Sequence, residues 1–333
     1  MDPQLFSTGD ALLDVRNLIT RIPVEGGGAV NAVNGVSFSM ARGESLALVG
    51  ESGSGKSISV LSLLGLGPGS ARVDGSARFE GRDLLAIGSD ELRRVRGRRV
   101  GMVFQDPATS LNPVLTIGRQ LTEGLREPTG VSGATRRARA IELLGLVGIP
   151  DAPTRLASYA HEFSGGQRQR ILIAMAIACE PSLLIADEPT TALDATIQAQ
   201  IVDLLKDLQK RLGMAILWIT HDLALVAGIV DRVAVMYAGS IVEMAPVREI
   251  FRRPRHPYTL GLLKAMPRSH ARRDDGGSLV PIPGVPPDLR EAIMGCAFAP
   301  RCPLAIDRCR VEKPALVAVA PGHDAACFRS EDL

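Results

Sequence analysis

The sequence lacks any uninterrupted apolar run of about 18 residues, the length a helix needs to cross a bilayer. Its longest candidate, 171–179, sits inside a helix-like pattern, so the chain is expected not to span a membrane by itself. Its first residues, with Asp2 and Asp10 and no basic-then-apolar block, do not read as a secretory leader, which points to a reducing cytosol. Aromatics are scarce: one Trp, three Tyr and eight Phe in 333 residues. That scarcity argues against stacking platforms for single-stranded nucleic acid. A charge excess is missing too, since 38 Lys and Arg balance 36 Asp and Glu for a net +2. Dedicated duplex-DNA binders carry a strong basic excess, and no nucleic-acid partner is expected. The five Cys are too few for a disulfide scaffold, and four of them, Cys296, Cys302, Cys309 and Cys327, lie in the tail.

What is present is a chain able to bury a core. Apolar residues make up 46%, and the length fits about two domains. Residues 13–22, 32–40 and 45–49 read as strands, the last feeding a glycine loop and then a helix over 58–66. Arg93, Arg94, Arg96, Arg98 and Arg99 read as a solvated helix end, with contact to phosphate as the alternative. A strand at 100–104 precedes a stretch, 106–163, with helical rather than strand character, notably 134–147. Strands return at 183–186, 215–219 and 233–237, separated by helix patterns. This alternation predicts an α/β fold with a mostly parallel sheet. Beyond residue 250 prolines cluster, and an appended loop-rich extension is expected over 251–333.

Gly50-Glu51-Ser52-Gly53-Ser54-Gly55-Lys56-Ser57 fits the phosphate-loop pattern G-x-x-x-x-G-K-[ST] in full. Gly50, Ser52, Gly53, Ser54 and Gly55 let the backbone wrap phosphates and turn its N–H groups inward. Lys56 is placed for the β/γ-phosphates, and Ser57 for Mg²⁺. No role falls on position 58. A second acidic site follows an apolar strand: Leu183-Leu184-Ile185-Ala186-Asp187-Glu188. Open α/β sheets bind ligands at that strand edge. Asp187 is expected on Mg²⁺, and Glu188 to polarise the attacking water. Gln105, ending a strand, suits Mg²⁺ or the same water. His221, ending another, suits the γ-phosphate. Asp194 is either a site residue or an N-cap. Ser164-Gly165-Gly166-Gln167 opens the apolar helix that follows, with Ser164 as N-cap and two glycines baring the helix start. One nucleotide needs one phosphate loop, so this second surface makes sense over the nucleotide of a partner subunit.

In this order the motifs resemble an ATP-binding cassette (ABC) transporter ATPase over about residues 12–250. The resemblance implies a P-loop NTPase with a RecA-like core, an antiparallel β subdomain and a helical insertion over about 106–163. It implies ATP and Mg²⁺ as ligands and a head-to-tail ATP sandwich with a second, homologous ATPase subunit. It further implies two membrane permease subunits, an extracytoplasmic substrate-binding protein acting indirectly, and a peripheral seat on the cytoplasmic face of the inner membrane. Phe104-Gln105-Asp106-Pro107, Arg255-His256-Pro257-Tyr258-Thr259, Ile282-Pro283-Gly284 and Gly295-Cys296-Ala297-Phe298-Ala299-Pro300-Arg301-Cys302-Pro303 resemble dipeptide/oligopeptide importer ATPases. Nickel, glutathione or another small solute is the alternative cargo. A soluble ABC ATPase of DNA repair or translation fits less well, because one cassette, no heptad arm and near-neutral charge are found. The family's usual adenine-stacking aromatic is absent from residues 23–34, which leaves an aliphatic residue such as Val30, and Phe163 replaces the commoner Leu before the signature.

The tail cysteines are spaced C-x5-C-x6-C-x17-C. Four thiolates suit Zn²⁺ or an iron–sulfur cluster, and reduced structural thiols are the plain alternative. The resemblance favours a [4Fe-4S] cluster on Cys296, Cys302, Cys309 and Cys327. Cys179, on the signature helix, is expected in the core.

Overall fold

The central strands are short runs of apolar residues buried on both faces. In the computed structural model, which describes residues 11–125, 132–191, 193–266 and 281–333, the strands in chain order are β1 (Ala11–Pro23), β2 (Ala29–Ala41), β3 (Ser45–Val49), β4 (Arg72–Phe79), β5 (Arg82–Asp83), β6 (Val100–Val103), β7 (Leu183–Asp187), β8 (Ala215–Thr220), β9 (Arg232–Tyr237), β10 (Ser240–Pro246), β11 (Val317–Ala320) and β12 (His323–Ala325). The residues behind the leader reading lie outside the described ones. Every residue of β3, β7 and β8 is buried, the pattern of strands covered on both faces. No helix among the described residues is long and apolar enough to cross a membrane.

The chain divides into two compact units. One comprises residues 1–41, 45–87 and 219–333, the other 42–44 and 88–218. In the first, β1 pairs antiparallel with both β2 and β4, and β4 with β5, giving an antiparallel sheet ordered β2-β1-β4-β5. A bulge interrupts β1 between Val15 and Leu18, where Asn17 turns to φ 48°. The second sheet portion is mixed. β3 pairs parallel with β9, β9 antiparallel with β10, and β10 continues through β12 to β11. Asp231 ties β3 to the approach of β9: its Oδ2 accepts from the Ser45 N–H at 2.8 Å and from the Ser45 hydroxyl at 2.7 Å. β4, β10, β11 and β12 escape the sequence reading. β4 is mostly polar and broken by Gly75, and β10 follows β9 after only a two-residue turn.

In the second unit β6 and β7 pair in parallel. Helices Ile117–Gly124 and Gly133–Leu146 fill the expected insertion, with Thr116 and Ser132 as N-caps. The helix Ala195–Leu212 buries Ile201, Val202, Leu205 and Leu208, one stripe at helical spacing. Each such side chain contributes about 2 kcal/mol when removed from water. Gly213 at φ 64° stops the helix, and Lys210 and Arg211 face its negative end. Trp218, the chain's single Trp, is buried in β8 with no hydrogen-bond partner for its indole N–H. Cys179 lies beyond the signature helix, which ends at Ala176, and is only half-buried, with its Sγ 3.7 Å from the Gly124 carbonyl. The expectation of a core Cys179 on that helix is corrected accordingly.

Candidate functional site

β3 runs into the glycine loop, and the helix Lys56–Leu63 runs out of it. The two outer glycines of the loop are dictated by close backbone approach. A Cβ on Gly50 would sit 2.2 Å from the Met236 carbonyl oxygen. One on Gly55, at φ 99°, would sit 2.4 Å from the Ala32 carbonyl oxygen. The Gly239 N–H donates to the Ser54 carbonyl at 2.9 Å, so the turn after β9 braces the loop. Lys56, 5% exposed, folds back into it, donating to the carbonyls of Gly50 at 2.8 Å and Glu51 at 2.9 Å. The loop thus closes around its own lysine, whose ammonium is held by two of the loop's carbonyls. Its hydroxyls end at Ser57. The next position holds Ile58, and an aliphatic side chain offers nothing to phosphate or Mg²⁺. Ile58 serves the helix instead, its carbonyl accepting from the Ser62 hydroxyl at 2.7 Å.

In the second unit, β7 delivers two carboxylates from its C-terminal end. Asp187 is buried. Glu188 follows at φ 47°, a left-handed conformation that costs a non-glycine residue about 1–3 kcal/mol and marks functional positions. Gln105 is brought to it: Gln105 Nε2 donates to Glu188 Oε2 at 2.8 Å, and the Thr191 hydroxyl donates to the same oxygen at 2.9 Å. Thr191 was missed as a partner, although it lies three residues past Glu188. Asp194 is an N-cap here, its Oδ1 accepting from the N–H groups of Thr196 and Ile197. Ser164 caps the helix Gly165–Ala176 in a reciprocal box with Gln167: Ser164 Oγ accepts from Gln167 N at 3.3 Å, and Gln167 Oε1 from Ser164 N at 3.0 Å. Gly166 is required by packing, since a Cβ there would stand 2.7 Å from Ile197 Cγ2. Arg168 and Arg170 fasten this helix to the insertion by donating to the carbonyls of Ala160 and Val147. In the first unit, His221 is exposed beyond the end of β8, and Asp222 caps the short helix Leu223–Val226.

The tail is organised by side chains far apart in sequence. Glu243 on β10 is fully buried and accepts from the Arg255 N–H at 2.6 Å, the His256 N–H at 3.0 Å and His323 Nε2 at 2.7 Å. His256 Nδ1 accepts from the Tyr258 N–H at 3.1 Å and caps the helix Pro257–Ala265. Burial lowers the His256 pKa to about 3, so the ring is neutral. Tyr237, Tyr258 and Phe298 pack ring against ring, with centroids 4.6 to 5.4 Å apart.

The cysteine expectation is overturned. Among the described residues, no group of three or more His, Cys, Asp or Glu side chains is disposed to hold a metal ion. Cys296, Cys302, Cys309 and Cys327 are free thiols that line one small pocket together with His256 and Phe298. Burial raises the pKa of Cys296 and Cys302 and pushes that of Cys327 up to about 11.

Fold and loop together define a P-loop nucleotide-binding α/β protein. Residues 33–191 match the ABC transporter family, and residues 242–309 match the oligopeptide/dipeptide transporter C-terminal region. A probable peptide ABC transporter ATP-binding protein of Sinorhizobium fredii is 52% identical over 326 residues, covering 97% of this chain and 96% of that one. The oligopeptide transport ATP-binding protein OppD of Escherichia coli is 48% identical over 327 residues, covering 98% and 96%. Among solved structures, the dimeric post-hydrolysis ATP-binding cassette MJ0796 bound to ADP and Pi matches with a TM-score of 0.63 at 27% identity, covering 71% of this chain and 99% of that one. The chain belongs to the ATP-binding proteins of ABC transporters, and it is an ATPase.

Proposed function

We propose that this ATPase energises a membrane importer of di- or oligopeptides as one half of a head-to-tail ATP sandwich. The observation that carries the reading is the phosphate loop, whose Gly50 and Gly55 leave no room for a Cβ and whose Lys56 is already drawn inside. Names of relatives and the match of the tail supply the cargo class. A second, homologous ATPase subunit places its Ser164-Gly165-Gly166-Gln167 over this chain's nucleotide, and this chain's signature covers the partner's. Two permease subunits dock on the insertion, where Val114 and Tyr159 are exposed apolar side chains. A substrate-binding protein delivers peptide on the far side, and the ATPase sits at the cytoplasmic face of the inner membrane.

Roles are divided among this chain's own residues. Backbone N–H groups of Gly50, Ser52, Gly53, Ser54 and Gly55, with Lys56, bind the phosphates. Ser57, Asp187 and Gln105 hold Mg²⁺, which when bound screens charge on the phosphates. Glu188 orients water, steadied by Gln105 and Thr191, and His221 approaches the γ-phosphate. Asp194 supports the site by fixing the helix start behind Glu188. Replacing Glu188 by Gln keeps shape and removes the carboxylate. In a phosphate-release assay E188Q retains MgATP and loses turnover by at least about 100-fold, the scale of a general base. Hydrolysis at the wild-type rate would refute the role. Peptide-dependent ATP consumption in vesicles carrying the whole importer tests the cargo.

A further inference from the structure

The segment that follows the cassette reaches back to the phosphate loop. Arg301 lies 250 residues after Glu51, yet its Nη1 and Nη2 donate to the two Glu51 carboxylate oxygens at 2.7 and 3.0 Å, a fork-to-fork pair. Arg301 is held from every side. Nε donates to the Pro283 carbonyl at 2.8 Å, Nη1 to the Tyr237 hydroxyl at 3.2 Å, and the guanidinium stands over the rings of Tyr237 and Phe298. Its side chain is 5% exposed, against 28% for Glu51. The Tyr258 hydroxyl accepts the Glu51 N–H at 2.9 Å, so the same loop residue is gripped at backbone and side chain. Glu51 in turn offers its carbonyl to Lys56 Nζ.

This arrangement answers a problem posed by the sequence. Glu51 is the first variable position of a loop built to hold a polyphosphate, and a carboxylate there opposes the ligand's own charge. Two like charges several ångströms apart near a protein surface repel appreciably. A buried guanidinium bonded to both oxygens cancels that charge without entering the cradle. We propose that Arg301 is a positioning residue for nucleotide binding: it neutralises Glu51 and, with Tyr258, fixes the first turn of the phosphate loop, so that the tail completes the ATP site of its own subunit. The inference rests on the reading of the loop as this chain's MgATP site. It also gives the tail a task in the ATP cycle. Loosening the tail, by a partner or by damage, withdraws Arg301 and lowers nucleotide affinity without touching a phosphate contact.

The test uses the full chain and equilibrium titration of MgATP, with melting temperature as the folding control. R301A weakens MgATP binding about tenfold, the effect of one uncompensated charge. R301K, which keeps the charge and loses the fork, falls between. The double variant R301A/E51Q, which removes the stranded carboxylate, recovers most of the wild-type affinity although the tail contact remains broken. That rescue is an outcome a merely structural role does not produce. R301A binding at wild-type strength, or R301A/E51Q no tighter than R301A, overturns the inference. K56A is the control for the loop itself: a wild-type chain no tighter than K56A overturns the ATP-site reading and this inference with it, whereas a K56A-sensitive wild type with a silent R301A overturns the inference alone.

Discussion

Replacing Glu243 gives a loss that follows from counting its bonds. Both carboxylate oxygens act as acceptors: Oε1 for the Arg255 N–H and His323 Nε2, Oε2 for the His256 N–H. In Glu243→Gln one oxygen becomes an NH₂ group facing a donor. On the Oε2 side it strands one buried N–H; on the other side it strands two. The smaller loss governs, and one stranded buried donor costs about 1–3 kcal/mol. Glu243→Ala strands all three and opens a cavity, for about 5 kcal/mol or more. A typical domain has only about 5–15 kcal/mol to lose. Amide hydrogen exchange on the full chain reads this at the bonded groups themselves. In the Gln variant, protection at His256, whose N–H is the one stranded, falls by about tenfold or more, since about 1.4 kcal/mol is one decade. In the Ala variant protection vanishes there and across 323–325, where β12 leaves β10. Unchanged protection of Arg255 and His256 in the Ala variant refutes the account of Glu243 as the pin that holds the tail.

Three further outcomes are expected. Lys56→Ala removes the ammonium from the phosphate cradle and weakens MgATP binding by at least about tenfold in a titration. Gly166→Ala forces a Cβ against Ile197 Cγ2, and the overpacking, about 1–3 kcal/mol, exceeds the roughly 1 kcal/mol that Ala adds to a helix; a lower urea midpoint checks it. Burial holds the folded His256 pKa at about 3, below its ordinary 6.5. As pH falls below about 6.5 the unfolded chain takes up the proton first, so stability drops by up to about 1.4 kcal/mol per pH unit down to the folded pKa. Urea midpoints at pH 7, 6 and 5 show that slope, and His256→Asn, which retains an acceptor for the Tyr258 N–H, flattens it.

Features encoded in consecutive residues were legible without the structure. The glycine loop, the strand ending in Asp187 and Glu188, and the Ser164 cap each depend on neighbours within a few positions, which a linear pattern records. Adjacency of Gln105 and Glu188 was suggested only because both end apolar strands. The tail obeys a different rule. Its joints are Glu51 with Arg301, Tyr258 with Glu51, and Glu243 with His323, each formed between residues with no local pattern linking them. The cysteines, conspicuous by spacing, drew the reading toward a metal, while the groups that hold the segment together were an arginine, a glutamate and two histidines that composition does not single out. β10 went unseen because the reading ended the strand at Tyr237; the turn at Ala238 and Gly239, both at positive φ, folds the chain straight back into an antiparallel partner.

Trp218 sets how the molecule can be watched. An indole enclosed in β8 with no polar partner emits at the blue end of its range and is out of reach of iodide. It is the sole emitter of its kind and belongs to the unit of residues 88–218, whereas the tail belongs to the other. Tryptophan fluorescence therefore has one listening post. A denaturation trace taken at that wavelength stays silent while β12 peels away, and a tail defect that cripples the ATPase can pass a routine fluorescence melt as wild type.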